Sequence, residues 1–141
     1  MTEKRVYNVL VNSKAERAAD DFEHISLSLR GTVLDDGEIV TLKYTEQTDD
    51  GDTDNEVSFS KKKRGEVSVS RRGKISSFMT FESGKRCAWK YSIGEFAMDL
   101  CTNTVELENT LGLDGGKLSI YYIMESRGIE IQKVRLTVSL E

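Results

Sequence analysis

Two residues carry charge where an apolar strand face would otherwise continue. In "GEIVTLKYTEQ", residues 37–47, Val40, Leu42 and Tyr44 share one face of an alternating stretch, and the next residue on it is Glu46. In "EVSVSRRGK" Val67 and Val69 share a face, and Arg71 comes next. A carboxylate or a guanidinium turned inward alone is expensive, so each needs a partner. An arginine fork can hold a carboxylate through two parallel hydrogen bonds. The pattern predicts that Glu46 and Arg71 meet at one end of a β-structure, pointing in. They then form either a structural ion pair or a site where Arg71, held by Glu46, meets a polar or anionic ligand. Catalysis by Glu46 is a weaker reading. A general base needs a raised pKa, and a paired guanidinium lowers it. No second inward carboxylate accompanies Glu46, as a glycosidase pair would require.

Other chemistry has little to stand on. His24 is the only histidine, and alternation places it with Ser26 and Ser28 on a polar face. A catalytic triad or a histidine zinc site would need it in a pocket. Cys87 and Cys101 lack metal-binding spacing, and their strand parities point one in and one out, so free thiols are expected. "GLDGGK" lacks P-loop spacing and reads as a turn. "DDGDTDN" is acidic but has no closing glutamate of a calcium loop. No metal and no cofactor is expected, and binding is favoured over catalysis.

The elements that position these residues are strands. The chain has no proline, which suits uninterrupted sheet pairing. Period-2 alternation marks ten segments: "RVYNVLVNS", "FEHISLSLRGTV", residues 38–47, "EVSFSKK", "EVSVSRR", "KISSFMTF", "RCAWKYSI", "EFAMDLCTNTVEL", "KLSIYYIME" and "IEIQKVRLTVSL". Gly31 falls on the apolar face of the second, where a sheet can bend. The fourth and fifth are joined near Arg64–Gly65. The one helical possibility is a turn at "KAERAADD", and "TDDGDTDN", residues 48–55, reads as an acidic loop and the most disordered segment. Apolar parity changes phase within the eighth and tenth strands, which predicts bulges and bending. Bent long strands favour closure, so the fold class is all-β. The expected architecture is a single antiparallel β-barrel of about 8–10 strands, one domain over residues 1–141. Tyr44, Met79, Phe81, Trp89, Tyr91, Thr102 and Tyr122 share inward parity with Glu46 and Arg71, and Phe78 falls off it.

A chain of 141 residues, 38% hydrophobic and 31% charged, suits one domain with a thin core. No apolar run reaches the ~18 residues of a membrane helix, and the first residues show no leader pattern. A cytoplasmic protein without membrane contact is the expectation, as monomer or homodimer. The net charge of −4 is uneven: residues 35–56 hold nine acids and one base, and residues 61–90 hold ten bases and two acids. A basic stripe including Lys61, Lys62, Lys63 and Arg64 raises nucleic-acid binding as a minor possibility, although the neighbouring aromatics read mostly as core.

Four blocks, taken in order and spacing, resemble the bacterial DUF1934 family. They are "RGTVLDDGEIVTLKYTE" with its Tyr-x-Glu ending, "VSVSRRGK" with Arg-x-Gly, "FESGKRCAWKYSIGEFAMDLCTNTVEL", and "GGKLSIYYIMESRGIEI". The resemblance covers most of the chain. It departs before Gly94, where "YSIG" replaces the family's usual proline and aromatic. It implies a calycin-like (lipocalin-like) antiparallel barrel, with family positions at Tyr44, Glu46, Arg71, Gly73, Gly84, Tyr91, Gly94, Thr102, Gly116 and Tyr122. It brings no activity to carry over. The expected role is non-enzymatic binding of a small amphipathic or anionic molecule in the barrel, with Tyr44, Glu46, Arg71, Tyr91 and Tyr122 at the site. The alternative is an interaction module with a filled barrel that binds a protein or RNA through its charged outer surface.

Overall fold

The computed structural model describes residues 2–18 and 21–141. Ten strands follow one another: β1 Glu3–Ala18, β2 Asp21–Asp35, β3 Ile39–Thr48, β4 Gly51–Ser60, β5 Lys63–Arg72, β6 Ile75–Glu82, β7 Arg86–Ile93, β8 Phe96–Asn109, β9 Gly116–Ser126 and β10 Ile129–Leu140. Each pairs antiparallel with its chain neighbour, and β1 pairs with β10, so the meander closes into a barrel. Closure leaves no sheet edge unpaired along most of the wall. Among the described residues no helix is long and apolar enough to cross a membrane.

Alternation fills the interior. Val9, Leu42, Val57, Val67, Phe81, Leu118, Ile120 and Val138 are almost wholly buried, one set from each pleat face that points inward. Both expected bulges are present, between Thr104 and Glu106 on β8 and between Glu130 and Gln132 on β10. Gly31 sits where β1, β2 and β3 come closest. A Cβ there would stand 2.5 Å from Val9 Cγ2 and 3.0 Å from the Lys43 carbonyl oxygen. Glycine is required for that approach as much as for any bend.

Three expectations are corrected. The stretch 14–18, expected to turn helically, continues β1, with residues 19 and 20 outside the described set. The acidic loop at 48–55 is a tight hairpin: β3 runs to Thr48 and β4 starts at Gly51. Cross-strand pairing from Thr48↔Gly51 to Thr45↔Asp54 organises it, and Thr53 and Asn55 are buried inside the barrel. The β4–β5 turn lies at residues 61–62, not at Arg64–Gly65.

The two ends of the barrel differ. At one end the 110–115 loop folds inward, placing Leu111 in the core. Its carbonyls are held by Arg64 Nη1 to Leu111 O at 2.7 Å and by the Tyr7 hydroxyl to Leu113 O. Arg64 also stacks over Phe59, 5.2 Å from the ring centre. The other end is a mouth. Ile25 and Ile75 share strand parity with the buried Val33 and Phe81, yet stand exposed there. Two gaps interrupt the wall: β2 and β3 pair only from Gly31↔Tyr44 to Asp35↔Val40, although both run on towards the mouth, and β6 and β7 pair only at Ile75↔Ile93, Ser76↔Ser92 and Ser77↔Tyr91, although both run on towards the closed end.

Candidate functional site

Strand register builds the site as a belt near the mouth. Gly31 faces Tyr44, Tyr44 faces Asn55, Asn55 faces Arg71, Arg71 faces Ser77, Ser77 faces Tyr91, and Tyr91 faces Met98. Each pair sits directly opposite across neighbouring strands, so all seven side chains or positions share the inner surface. Glu46 is one inward step from Tyr44 along β3, and Trp89 is one inward step from Tyr91 along β7. Thr104 on β8 faces Tyr122 on β9.

Glu46 and Arg71 do meet. Arg71 Nη2 lies 3.5 Å from Glu46 Oε1, with side chains 18% exposed at Glu46 and 41% at Arg71. The contact is single, not the two-point fork expected from the residue types. Asn55 supplies the difference: its Nδ2 donates to the same Glu46 oxygen at 3.1 Å. Glu46 is therefore held from two strands, and the Nε side of the Arg71 guanidinium is left over. Asn55 was missed in the sequence because a buried amide breaks apolar alternation and makes its strand look like a loop.

The other expected residues fall as follows. Tyr44 and Tyr122 are buried, and Tyr91 is half-buried. Burial pushes the Tyr44 hydroxyl up to about 12, the Glu46 charge adds to the rise, and Arg71 opposes it. Burial likewise pushes Tyr122 up to about 12 against the pull of Arg71. Both phenols remain protonated donors at any physiological pH. The Tyr122 ring packs on Phe81 with centres 4.8 Å apart, and Trp89 meets Tyr91 edge-on at 6.4 Å.

The inner surface carries donors without acceptors. Arg71 Nε, Trp89 Nε1, Thr102 Oγ1 and Thr104 Oγ1 are buried and have no hydrogen-bond partner within the protein. Thr102 is 0% exposed and Thr104 1%. A guanidinium Nε and an indole nitrogen can only donate. Each buried polar group left unmatched costs about 1–3 kcal/mol. Most buried groups in folded proteins are matched, so four in one barrel call for an explanation. Thr104 keeps the inward parity of Thr102 and lies just before the β8 bulge; the apolar phase moves to Val105 and Leu107 there, so the sequence did not single it out.

The remaining charged residues are dispersed. Lys61 pairs with Asp35 at 2.9 Å, Lys63 with Glu66 at 2.9 Å, and Arg86 with Glu125 at 3.1 Å. Lys61 to Arg64 lie at the closed end and Arg71 to Lys74 at the mouth, so they form no single stripe. Phe78 stands exposed on the outer wall, as its parity required. Cys87 faces Thr102 inside, Cys101 faces Ala88 on the opposite pleat face, and both thiols are free. His24 is exposed, with Nε2 3.4 Å from Asn12 Oδ1. Among the described residues no group of three His, Cys, Asp or Glu side chains could hold a metal ion.

Comparison with known proteins agrees with this architecture. No curated protein matches the chain. The crystal structure of the YwiB protein from Bacillus subtilis has a TM-score of 0.84 at 25% identity, covering 98% of this chain and 92% of that one. The family model described as a domain of unknown function, DUF1934, matches residues 9–138. With a family match over most of its length and a shared closed barrel, the chain belongs to the DUF1934 family.

Proposed function

We propose that this protein binds a small amphipathic molecule in the interior of its barrel and does not transform it. The observation that supports this is the excess of buried donors: Arg71 Nε, Trp89 Nε1 and the hydroxyls of Thr102 and Thr104 stand without partners. The group that completes them is rich in acceptor oxygens, as a carboxylate or phosphate is. Glu46 balances the charge of Arg71, so the pair offers donors with little net charge and suits a head group of low charge. Tyr44 and Tyr122, held protonated, add hydroxyl donors beside Arg71. Apolar packing from Phe81 and Met79 supplies the rest of the wall. A reducing cytoplasm suits the two free thiols.

Native mass spectrometry of freshly purified protein, repeated after denaturing extraction, tests this directly. A mass excess lost on denaturation identifies the occupant. Trp89 is the only tryptophan and lies in the site, so its emission reports occupancy. Arg71→Met is expected to weaken binding far more than folding. Loss of folding in parallel with binding, and a protein free of any bound mass, would reduce Glu46 and Arg71 to a structural pair.

A further inference from the structure

We propose that two copies of this protein pair through the free edge of β2, antiparallel and about a two-fold axis, so that the two barrels share one continuous sheet. β2 pairs with β1 along one edge from Asp21 to Asp35. On its other edge β3 covers it only from Gly31 to Asp35. Beyond Tyr44, β3 pairs with β4 alone. Among the described residues, nothing pairs with 21–30, "DFEHISLSLR", on that side. An open row of backbone donors and acceptors templates another strand, and folded proteins blunt such edges with lysine, proline or a bulge. This stretch has no lysine and no proline, and it runs along β1 without a bulge from Phe22 onward.

The side chains on the edge select the partner. Phe22 at one end is 67% exposed. Arg30 at the other end is exposed and, among the described residues, enters no ion pair. The acids of the strand, Asp21 and Glu23, are taken by Arg17. Phe22 and Arg30 share the outward parity of His24, Ser26 and Ser28. Ile25, 45% exposed, shares the inward parity of Leu27 and Leu29. A two-fold axis normal to the sheet keeps inward residues on one side, so it allows only registers that oppose equal parities. With Ser26 on the axis, Phe22 falls opposite Arg30, His24 opposite Ser28 and Ile25 opposite Leu27, each pair formed twice.

That register uses the free edge from Phe22 to Arg30 and stops one residue before Gly31, where β3 begins. It sets no acid against an acid. Glu23 falls opposite Leu29 and keeps its bond to Arg17. The Phe22–Arg30 contact has a counterpart in this molecule: Arg135 stands opposite Tyr121 across β10 and β9, with its Cζ 4.1 Å from the ring centre. An unrelated extended peptide would satisfy the backbone alone. A second β2 also gives the exposed aromatic a cation and the free cation an aromatic. One pair of strands is a small interface, so the dimer forms reversibly with concentration. The contact involves none of the unmatched donors and stands apart from the ligand reading.

The experiment is sedimentation velocity on the full-length protein over a concentration series, with disulfide trapping to read the register. Opposed residues of an antiparallel pair have Cα atoms about 4.5–5.5 Å apart, within reach of a disulfide. Ser26→Cys is expected to give a covalent dimer under mild oxidation. His24→Cys and Ser28→Cys each stay monomeric alone and cross-link when mixed. Wild type, which carries Cys87 and Cys101, does not cross-link. Ser26→Lys sets two ammonium groups face to face and is expected to weaken self-association by about tenfold or more, with the thermal midpoint unchanged. Phe22→Ser and Arg30→Ser each weaken it, and together do so less than additively, because they remove the same contact. A protein that stays monomeric over the whole series, or a dimer that Ser26→Lys leaves intact, overturns the proposal. Equal cross-linking by all three single cysteine variants, or by Phe78→Cys on the outer wall of β6, marks collision and overturns it as well. A strict monomer that binds a synthetic peptide of residues 22–30 would assign the edge to an extended segment of another protein instead.

Discussion

Replacing Thr102 and Thr104 by valine is expected to stabilise the ligand-free protein. Valine keeps the shape of threonine and exchanges a hydroxyl for a methyl, a change that favours stability only where that hydroxyl is unmatched. Both hydroxyls are buried and unmatched, and both residues are all but inaccessible. Each hydroxyl carries a desolvation cost of about 1–3 kcal/mol with nothing to offset it. Removing it returns roughly 1 kcal/mol per site, and β-branched valine suits a strand at least as well. The pair lies two residues apart on one face of β8, so the singles and the double are all needed to judge additivity. The double variant should gain about 2 kcal/mol, read as a higher urea midpoint at unchanged slope. In a melt that is a rise of roughly 6 °C for a chain of this size. The same variant should bind ligand less well, because two donors are gone. Stability rising as function falls marks residues kept for binding. A loss of 1 kcal/mol or more in the stripped double variant would refute the reasoning, because it would mean that both hydroxyls already have partners.

Three further outcomes follow from the geometry. Gly31→Ala drives a methyl to within 2.5 Å of Val9 Cγ2 and 3.0 Å of a backbone oxygen, so denaturation should show a loss of about 1–3 kcal/mol; a neutral result would mean that β1, β2 and β3 can ease apart. Tyr44 and Tyr122 have folded pKa values raised above the unfolded value near 10, so the stability they protect is complete below about pH 10 and is lost as pH rises towards 12. The loss should reach about 2–3 kcal/mol per tyrosine, and Tyr44→Phe with Tyr122→Phe should flatten that alkaline limb; a limb unchanged by the double variant would assign it to other groups. The gap between β6 and β7 should appear in hydrogen exchange as a fast subset of amides within 78–81 and 87–90, against slow exchange along β1, which is paired on both edges from Val9 to Glu16. Equal protection everywhere would mean that the wall closes there in solution.

Glu46 and Arg71 were legible because each ends an otherwise unbroken apolar face, and parity survives to the last residue of such a face. The ten strands, the two bulges and the outward turn of Phe78 followed from the same alternation. Its failures have one physical source. Where the barrel turns polar side chains inward, hydropathy no longer distinguishes inside from outside. Thr53 and Asn55 therefore read as part of an acidic loop, although cross-strand pairing makes that stretch a hairpin. At "KAERAADD" the spacing of alanines suggested a helical turn, and pairing with β2 and β10 overrides that local preference as far as Ala18. The 110–115 loop closes one end through Arg64, which donates to Leu111 O, and Tyr7, which donates to Leu113 O; both are distant in sequence and leave no local trace. A missing hydrogen-bond partner is a property of the whole neighbourhood, so Trp89 and Thr102 could be placed inside but not seen to be unmatched.

The pairing of β1 with β10 has a consequence for how the molecule is made. Val9 lies opposite Leu140, and Asn8 exchanges backbone hydrogen bonds with Glu141 at 2.8 and 2.9 Å. During synthesis β1 can zip to β2 within moments, but its other edge must wait for the last-made of the ten strands. At ribosomal speeds of roughly 5–20 residues per second, that wait lasts on the order of ten seconds. Throughout it, a 16-residue strand offers a bare edge to any other chain. Closure also depends on contacts between opposite ends of the chain, the slowest kind to find. The nascent barrel is thus most exposed to misassembly just before it is finished, and the hazard ends with one final strand.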